Sequence, residues 1–252
     1  MNRGLIEPTQ SGAQGIRFVT TTRSRGDALA AETDNNMALH TGNDPQPVLH
    51  NRRWLADHSG AAQIQWLNQV HGTTCKEVRA ATAAATVPEA DACWTQEAGF
   101  GLAVMTADCL PVVLWDQEQS RIGIAHAGWR GLLAGVLETT LQHFQTRSVR
   151  AWIGPAIGVE AYEVGEDVYQ EVARQPWRLP FCLRAPDRPD KWHLNLSGLA
   201  RQTLVAAGVS EVFESGLCTL SDRRFYSYRR DGSTGRMATL VWRTASVDRA
   251  HS

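Results

Sequence analysis

Three short segments of the chain each place a potential metal ligand at the end of a predicted β-strand. They are Asn-Gln-Val-His-Gly at 68–72, Thr-Ala-Asp-Cys-Leu-Pro at 106–111 and His-Ala-Gly-Trp-Arg-Gly at 126–131. These segments offer His71, Cys109 and His126, whose separations are too long for the local spacing of a zinc finger. A metal site built from them must therefore be assembled by the fold.

The ligand types favour a catalytic zinc site. Two imidazoles and a thiolate suit Zn²⁺, and three protein ligands leave one coordination position open. Copper (Cu²⁺) is the alternative metal for this set. Cys109 has two other interpretations, a nucleophile with a histidine as its base or a small buried side chain. Asp108 is interpreted as a residue that orients an imidazole or a bound water, or that caps a turn.

Arginines near these segments indicate anion binding. Residues 128–131 open a predicted helix, and backbone N–H groups at such a turn, with Arg130 beside them, form a cradle for phosphate or an oxyanion. Residues 223–236 carry five arginines around two tyrosines. This stretch is either a solvated loop or a clamp for phosphate or carboxylate.

Hydrophobic periodicity predicts a mixture of strands and helices. Strands are predicted at 16–21, 64–70, 102–106, 110–115, 121–125, 151–153, 212–213 and 238–242, and helices at 48–56, 133–144, 165–173 and 196–207. Residues 80–87 are predicted to be a surface connection. Because the elements are mixed and nothing repeats, the pattern predicts one α/β or α+β domain over 1–252, with 1–15 peripheral and 244–252 as a tail.

Composition limits the classes of partner. A formal net charge of −1 argues against broad binding of nucleic acid or anionic membranes, so the expected partner is a small molecule. The chain has no apolar signal run and no stretch of roughly 20 apolar residues, and we expect a cytoplasmic protein. Its five cysteines lack CxxC spacing and fit reduced thiols. The sequence leaves the oligomeric state open.

The remaining histidines and cysteines lack comparable neighbours in the sequence. We interpret all of them as surface or structural residues: His40, His50, His58, His143, His193, His251, Cys75, Cys93, Cys182 and Cys218.

From about Phe18 to Trp242 the chain resembles the YfiH-type family, also called the multicopper polyphenol oxidoreductase laccase or DUF152 family. The resemblance is carried by the three segments above and by Ala-Asp-Ala at 90–92, Tyr-Glu-Val-Gly at 162–165 and Phe-Tyr-Ser-Tyr-Arg-Arg-Asp at 225–231. Arg23 and Asn36 also match family positions. The chain departs from the family at Ala156, where a cysteine is usual, and at 24–27, where Ser-Arg-Gly-Asp replaces Gly-Gly-Val-Ser.

The resemblance implies mixed β-sheets sandwiched by helices, a zinc held by His71, Cys109 and His126, and phosphorolysis of purine nucleosides to the free base and ribose 1-phosphate. Related family activities are adenosine deamination, methylthioadenosine phosphorolysis, copper-dependent phenol oxidation and editing of peptidoglycan precursors. We predict catalytic roles for Cys109, His126, Asp108 and Arg130, and substrate binding by Arg23, Asn36, Gln69 and Arg229.

The mechanism expected for phosphorolysis has the metal and Arg130, with Arg23 or Arg229, orient phosphate, while an unidentified donor neutralises charge on the departing purine. In deamination a metal-bound water would attack the purine ring. The alternatives are a hydrolase or precursor-editing enzyme that uses Cys109, a copper-dependent polyphenol oxidase and a non-catalytic metal-binding protein. The oxidase ranks low because a multicopper enzyme needs many more histidines than these motifs offer.

Overall fold

The computed structural model describes residues 4–8, 15–24, 34–42, 44–61, 63–79, 81, 87–116, 121–144 and 148–244. Most of the predicted surface connection at 80–87, residues 25–27 of the altered segment and the predicted tail after residue 244 lie outside these ranges. The strands, in chain order, are β1 (Leu5–Ile6), β2 (Ile16–Thr21), β3 (Gln63–Gln65), β4 (Cys75–Glu77), β5 (Ala92–Thr95), β6 (Phe100–Thr106), β7 (Leu110–Trp115), β8 (Ile122–Ala127), β9 (Arg150–Ile153), β10 (Glu163–Val164), β11 (Cys182–Ala185), β12 (Arg188–Leu194), β13 (Glu211–Glu214) and β14 (Met237–Arg243).

The strands form two large mixed sheets and one small sheet. The first large sheet has the order β1-β2-β14-β6-β3, antiparallel except for the β3–β6 pair. The second has the order β13-β9-β7-β8-β5-β4, antiparallel in its centre and parallel at both outer pairs. The small sheet is antiparallel, with the order β10-β12-β11.

The two large sheets pack face to face, and helices cover their outer faces. Successive side chains of a strand point to opposite faces, and β7 uses both: Val113 and Trp115 pack between the sheets, while Val112 and Leu114 pack against the outer helices. β6 does the same. Strands buried on both faces read as continuous apolar runs, which is why 102–106 and 110–115 are recognisable in the sequence.

Most of the helices lie where the apolar periodicity predicts them. The first large sheet is covered by the helix Gln46–Ser59, through residues such as Leu55. The second is covered by helices at Trp129–Ala134, Val136–Leu141, Glu166–Ala173 and Leu196–Ala206. The prediction of mixed sheets sandwiched by helices in one α/β (α+β) domain is confirmed.

Two predicted elements differ in the structure. The helix predicted over 133–144 is two short helices, because Gly135 between them has a left-handed φ of 100°. The strand predicted at 64–70 ends at Gln65. Beyond it, Asn68 forms only an isolated parallel bridge with Glu89, and the N–H group of Val70 donates to the Asp91 carboxylate and not to a neighbouring strand.

Several strands were not predicted: β1, β4, β5, β10, β11 and β12. They are short or carry polar residues, so their alternation is weak. In the part of the chain that the structure describes, no helix is long and apolar enough to cross a membrane.

The connection between β6 and β7 positions the candidate site. β6 belongs to one large sheet and β7 to the other, so residues 107–109 cross from sheet to sheet at one end of the sandwich. Asp108 has a left-handed φ of 94°, an unusual conformation for a residue with a side chain. This tight crossing delivers Cys109 to the edge where the sheets meet.

We expect Leu102→Ala, which empties a fully buried position between the sheets, to lower the free energy of unfolding by about 2–5 kcal/mol. Leu183→Ala is the matched control, since that side chain is 63% exposed. Urea denaturation followed by circular dichroism measures both. Equal effects of the two substitutions would contradict this account of the core.

Candidate metal centre and cavity

Three side chains from separate parts of the chain meet at this edge of the sandwich. The ligand atoms of His71, Cys109 and His126 all lie within 4.8 Å of one another. The Cys109 Sγ is 4.0 Å from the Nε2 of His71, and the two imidazole rings meet edge to face with centroids 4.7 Å apart. The structure therefore brings together the three residues that the sequence nominated as ligands.

Asp91 holds two of these side chains in place. Its fully buried carboxylate accepts hydrogen bonds from the Nδ1 of His126 at 2.8 Å and from the backbone N–H groups of Val70, His71 and Gly72 at 3.1, 2.9 and 2.7 Å. These contacts support the left-handed conformation of His71, whose φ is 61°. They also leave the Nε2 of His126 free to face Cys109.

Gly128 allows the close approach of the ligands. A Cβ at this position would lie 2.9 Å from the Cδ2 of His71 and 3.0 Å from the Sγ of Cys109. Both distances are too short for a side chain, so the glycine of the His-Ala-Gly-Trp-Arg-Gly segment is needed for packing. Gly128 also precedes the first residue of the helix Trp129–Ala134, as the sequence predicts.

The electrostatics favour a thiolate next to an imidazolium. Burial opposes ionisation of Cys109, but the charge of His126 and hydrogen bonds from His126 and His71 outweigh it and lower the pKa of the thiol to about 6. Burial also opposes the charge of His126, yet the Cys109 thiolate and the Asp91 carboxylate raise its pKa to about 9. A deprotonated thiol is the form that binds a metal.

The donor set fits zinc. Zinc–sulfur and zinc–nitrogen bonds of about 2.3 and 2.0–2.1 Å in a tetrahedron place ligand atoms about 3.5 Å apart. The three donors need only small shifts from their present separation. A carboxylate that bonds the outer nitrogen of a ligating histidine is the usual second partner in such sites, and Asp91 provides it for His126.

The three side chains lie in a cavity of about 400 Å³. Three arginines also line it, Arg130, Arg229 and Arg236, and Asp108 is its one acidic lining residue among those the structure describes. The Arg130 guanidinium stacks 4.3 Å from the Trp129 ring, and in the described ranges it has no hydrogen-bond or ion-pair partner. The cavity is therefore positively charged and suited to an anion.

The Asp108 carboxylate braces the cavity wall. It accepts hydrogen bonds from the Thr219 hydroxyl at 2.6 Å and from the backbone N–H of Arg229 at 2.7 Å. Asp91, and not Asp108, bonds an imidazole of the ligand set. Gln69 is also occupied, because its side-chain amide pairs with the backbone N–H and carbonyl of Met105.

Two of the predicted substrate-binding residues lie outside the cavity. Arg23 lines a neighbouring groove with Arg223 and Arg224, and its guanidinium is 3.9 Å from the Asp231 carboxylate. Asn36 is buried and uses its amide to bind the backbone of Ala38. The geometry therefore does not favour direct contact of Arg23 or Asn36 with a substrate in this cavity.

Different parts of the Arg-rich segment 223–236 fit its two interpretations, an anion clamp and a loop. Arg229 and Arg236 face the cavity. Arg230 instead donates to the carbonyl oxygens of Thr219, Leu220 and Phe225 and pairs with Asp231. One part of the segment thus presents charge to the cavity, and another holds the segment together.

Sequence reasoning assigned no site role to three residues of this site, His40, Asp91 and Tyr162, whereas Arg236 lies in the segment 223–236 that it interpreted as a possible anion clamp. Asp91 and Tyr162 lie inside the motifs at 90–92 and 162–165, which carry the family resemblance but do not by themselves indicate a role. His40, interpreted as a surface or structural residue, lines the cavity. No local sequence feature distinguishes it from the other histidines.

We expect Asp91→Asn to weaken zinc binding by about 10–100-fold, because the amide cannot replace a charged acceptor for His126 and the 70–72 backbone. Competition with a chromogenic chelator measures the affinity, and circular dichroism checks the fold. Asp187→Asn, at an exposed position, serves as the control. Unchanged zinc affinity in a folded Asp91→Asn protein would contradict the role assigned to this carboxylate.

Comparison with known proteins identifies the family. Residues 17–244 match the family model described as multi-copper polyphenol oxidoreductase laccase. A protein of Pseudomonas aeruginosa named purine nucleoside phosphorylase is 41% identical over 242 residues, which cover 94% of this chain and 97% of the relative. The Escherichia coli K12 protein named purine nucleoside phosphorylase YfiH is 37% identical over 242 residues, covering 94% and 98%.

Solved structures agree with this assignment. A Neisseria meningitidis protein of the DUF152 family superposes with a TM-score of 0.87 at 35% identity, covering 96% of this chain and all of that one. The Bacillus licheniformis protein YfiH superposes with a TM-score of 0.87 at 27% identity, covering 96% and 97%. The chain therefore belongs to the multi-copper polyphenol oxidoreductase laccase family, the YfiH-type or DUF152 family that its motifs resemble.

Proposed function

We propose that this protein is a zinc-dependent purine nucleoside phosphorylase, which cleaves the bond between base and ribose with phosphate. The observation that carries the proposal is the His-Cys-His ligand set in the same cavity as three arginines. The names of relatives at 41% and 37% identity support the same reaction class.

His71, Cys109 and His126 are the residues that would hold the metal. A bound Zn²⁺ would supply a Lewis-acidic centre with one open coordination position. The thiolate of Cys109 partly offsets the positive charge of the cavity, and Asp91 keeps the His126 imidazole in the orientation that a ligand needs.

Arg130 and Arg229 are the residues that we assign to phosphate. Guanidinium groups match two phosphate oxygens at once. The Arg229 guanidinium donates to the Glu163 carbonyl at 2.7 Å and lies 5.3 Å from the Tyr162 ring, which fixes its position. Arg130 has its donors available. Two fixed cations hold phosphate in the orientation that attack requires, which lowers the entropic part of the activation barrier.

The reaction replaces one bond by another at the ribose. A phosphate oxygen forms a bond to C1′ while the C1′–N9 bond breaks and leaves its electron pair on the purine. Hydrogen phosphate brings one proton and ribose 1-phosphate retains none, so that proton ends on the free base. The cavity of about 400 Å³ is within the range of small-molecule sites.

A cysteine hydrolase or precursor-editing enzyme is the second candidate, because the lowered pKa of Cys109 beside His126 is also what a nucleophilic cysteine requires. The two candidates differ in a simple way. A nucleophile has to be free of metal to attack, whereas a metal ligand is shielded by it. Chelation therefore abolishes the phosphorylase and spares the hydrolase.

The proposed function is tested by incubating zinc-loaded protein with adenosine, with and without phosphate, and separating the products by chromatography. We expect adenine and ribose 1-phosphate only when phosphate is present. Inosine in either reaction would report deamination, and methylthioadenosine can be tested in the same way. If the protein at full zinc occupancy consumes neither adenosine nor inosine supplied in a separate reaction, the proposal is overturned.

We expect Cys109→Ser to lose zinc and phosphorolysis together, because a hydroxyl is a poor zinc ligand compared with a thiolate. Cys218→Ser is the matched control, since that cysteine lies outside the cavity lining and accepts backbone hydrogen bonds that a hydroxyl can also accept. Zinc content by atomic absorption and turnover are both measured. Full phosphorolysis by Cys109→Ser would contradict the metal role.

We expect Arg130→Ala to raise the KM for phosphate about 10–100-fold, the equivalent of a lost hydrogen bond to a charged group at about 1.5–3 kcal/mol. The KM for the nucleoside should change little, because the assigned contact is with phosphate. Arg174→Ala, an exposed arginine paired with Glu171, is the control. A change confined to the nucleoside KM would assign Arg130 to the base or the ribose.

A further inference from the structure

The phosphorolysis proposed above leaves one requirement without a residue: a donor for the purine as it departs. We propose that His40 donates a hydrogen bond to the leaving purine ring, an inference that rests on the proposed function. Among the described residues that line the cavity, His40 is the imidazole outside the His71-Cys109-His126 set.

The backbone that carries His40 is tied to the cavity wall. The Asn36 amide donates to the Thr41 hydroxyl at 2.8 Å and to the Ala38 carbonyl at 3.3 Å, and its oxygen accepts from the Ala38 N–H at 3.0 Å. The same oxygen accepts from the Arg236 N–H at 2.9 Å. His40 is thus exposed on a turn that is anchored on both sides and joined to a second cavity residue.

Different arginines act on Tyr162 and on His40, although Arg236 also interacts with Cys109 and Asp108, which act on Tyr162. Arg229 and Arg130 act on Tyr162, since their charges oppose the rise in its pKa that burial causes. His40 is affected by a different pair: burial first, then the charges of Arg236 and Arg52, lower its pKa. With phosphate assigned to Arg130 and Arg229, we place the base toward His40 and Arg236, which line the same cavity and whose backbone segments are joined through Asn36.

Other cavity residues are poorer donors for the base. Asp108 already accepts two hydrogen bonds, from Thr219 and from the Arg229 backbone, and has no proton to give as a carboxylate. The Tyr162 ring lies 5.3 Å from the guanidinium of Arg229, the arginine assigned to phosphate, which places it on the phosphate side of the cavity. Tyr228 is 61% exposed at the rim, with its ring 6.0 Å from the Arg236 guanidinium, a position suited to stacking.

The lowered pKa of His40 fits a neutral donor. A neutral imidazole carries one N–H and can polarise a developing negative charge without losing its proton. In phosphorolysis that charge appears on the purine as the C1′–N9 electron pair moves onto the ring. The hydrogen bond from His40 stabilises it until the proton of hydrogen phosphate reaches the base, so atoms and charge balance without any other reactant.

The test compares inosine with 7-methylinosine in the zinc-loaded protein. The methylated ring is already positively charged, so no negative charge builds up on it when the bond breaks. Removal of a donor that acts in the transition state costs about 10²–10³ in kcat. We expect His40→Ala to lose about 100-fold in kcat with inosine and to retain the wild-type kcat with 7-methylinosine.

Two further variants sharpen the result. His40→Gln keeps an N–H donor and should recover part of the lost kcat with inosine. His58→Ala, an exposed histidine at the end of the helix Gln46–Ser59, should behave as wild type. Zinc content is measured in all variants, and we expect it to be unchanged.

The outcomes separate the two proposals. If the wild-type protein turns over neither substrate, the proposed phosphorolysis fails. If it turns over both and His40→Ala impairs them equally, raises only the phosphate KM or has no effect, His40 is not the donor to the purine. A substrate-specific loss in Tyr228→Phe with normal activity in His40→Ala would overturn the assignment in favour of the tyrosine.

Discussion

The buried carboxylate of Asp91 is the contact on which the candidate metal centre depends. A charge in the protein interior is costly unless hydrogen bonds compensate it, and Asp91 receives four, from three consecutive backbone N–H groups and from His126. These bonds lower its pKa against the effect of burial, chiefly through His126. One carboxylate thereby sets both the backbone at His71 and the ring of His126.

The packing of the two large sheets positions Cys109 and His126. Cys109 stands on the crossing from one large sheet to the other, and His126 lies within the central strand β8. Gly128 leaves room for the side chains to approach. Because the resulting thiolate and imidazolium stabilise each other, the site is polarised before any ligand arrives. Metal binding would release the His126 proton and exchange that ion pair for coordination bonds.

Around this centre the arginines have distinct tasks. Arg230 and Arg224 hold the 222–231 segment through backbone carbonyls and aspartates. Arg130 and Arg229 present charge to the cavity, and the half-buried Arg236 also lines it. A sequence count of arginines cannot make this distinction, because guanidinium groups that bind ligands and those that brace loops have the same composition.

The sequence by itself determined the class of fold and the family, and it nominated the three residues of the candidate metal site. Strands buried on both faces, such as β6 and β7, have continuous apolar runs, and His71, Cys109 and His126 stand in distinctive segments. The tertiary structure decided the rest. Asp91 and His40 reach the site through contacts between residues distant in sequence, and Arg23 and Asn36 lie beyond the cavity wall although they match family positions. Local periodicity reports which face of an element is buried, whereas the partner of a polar side chain is fixed only when sheets and loops meet.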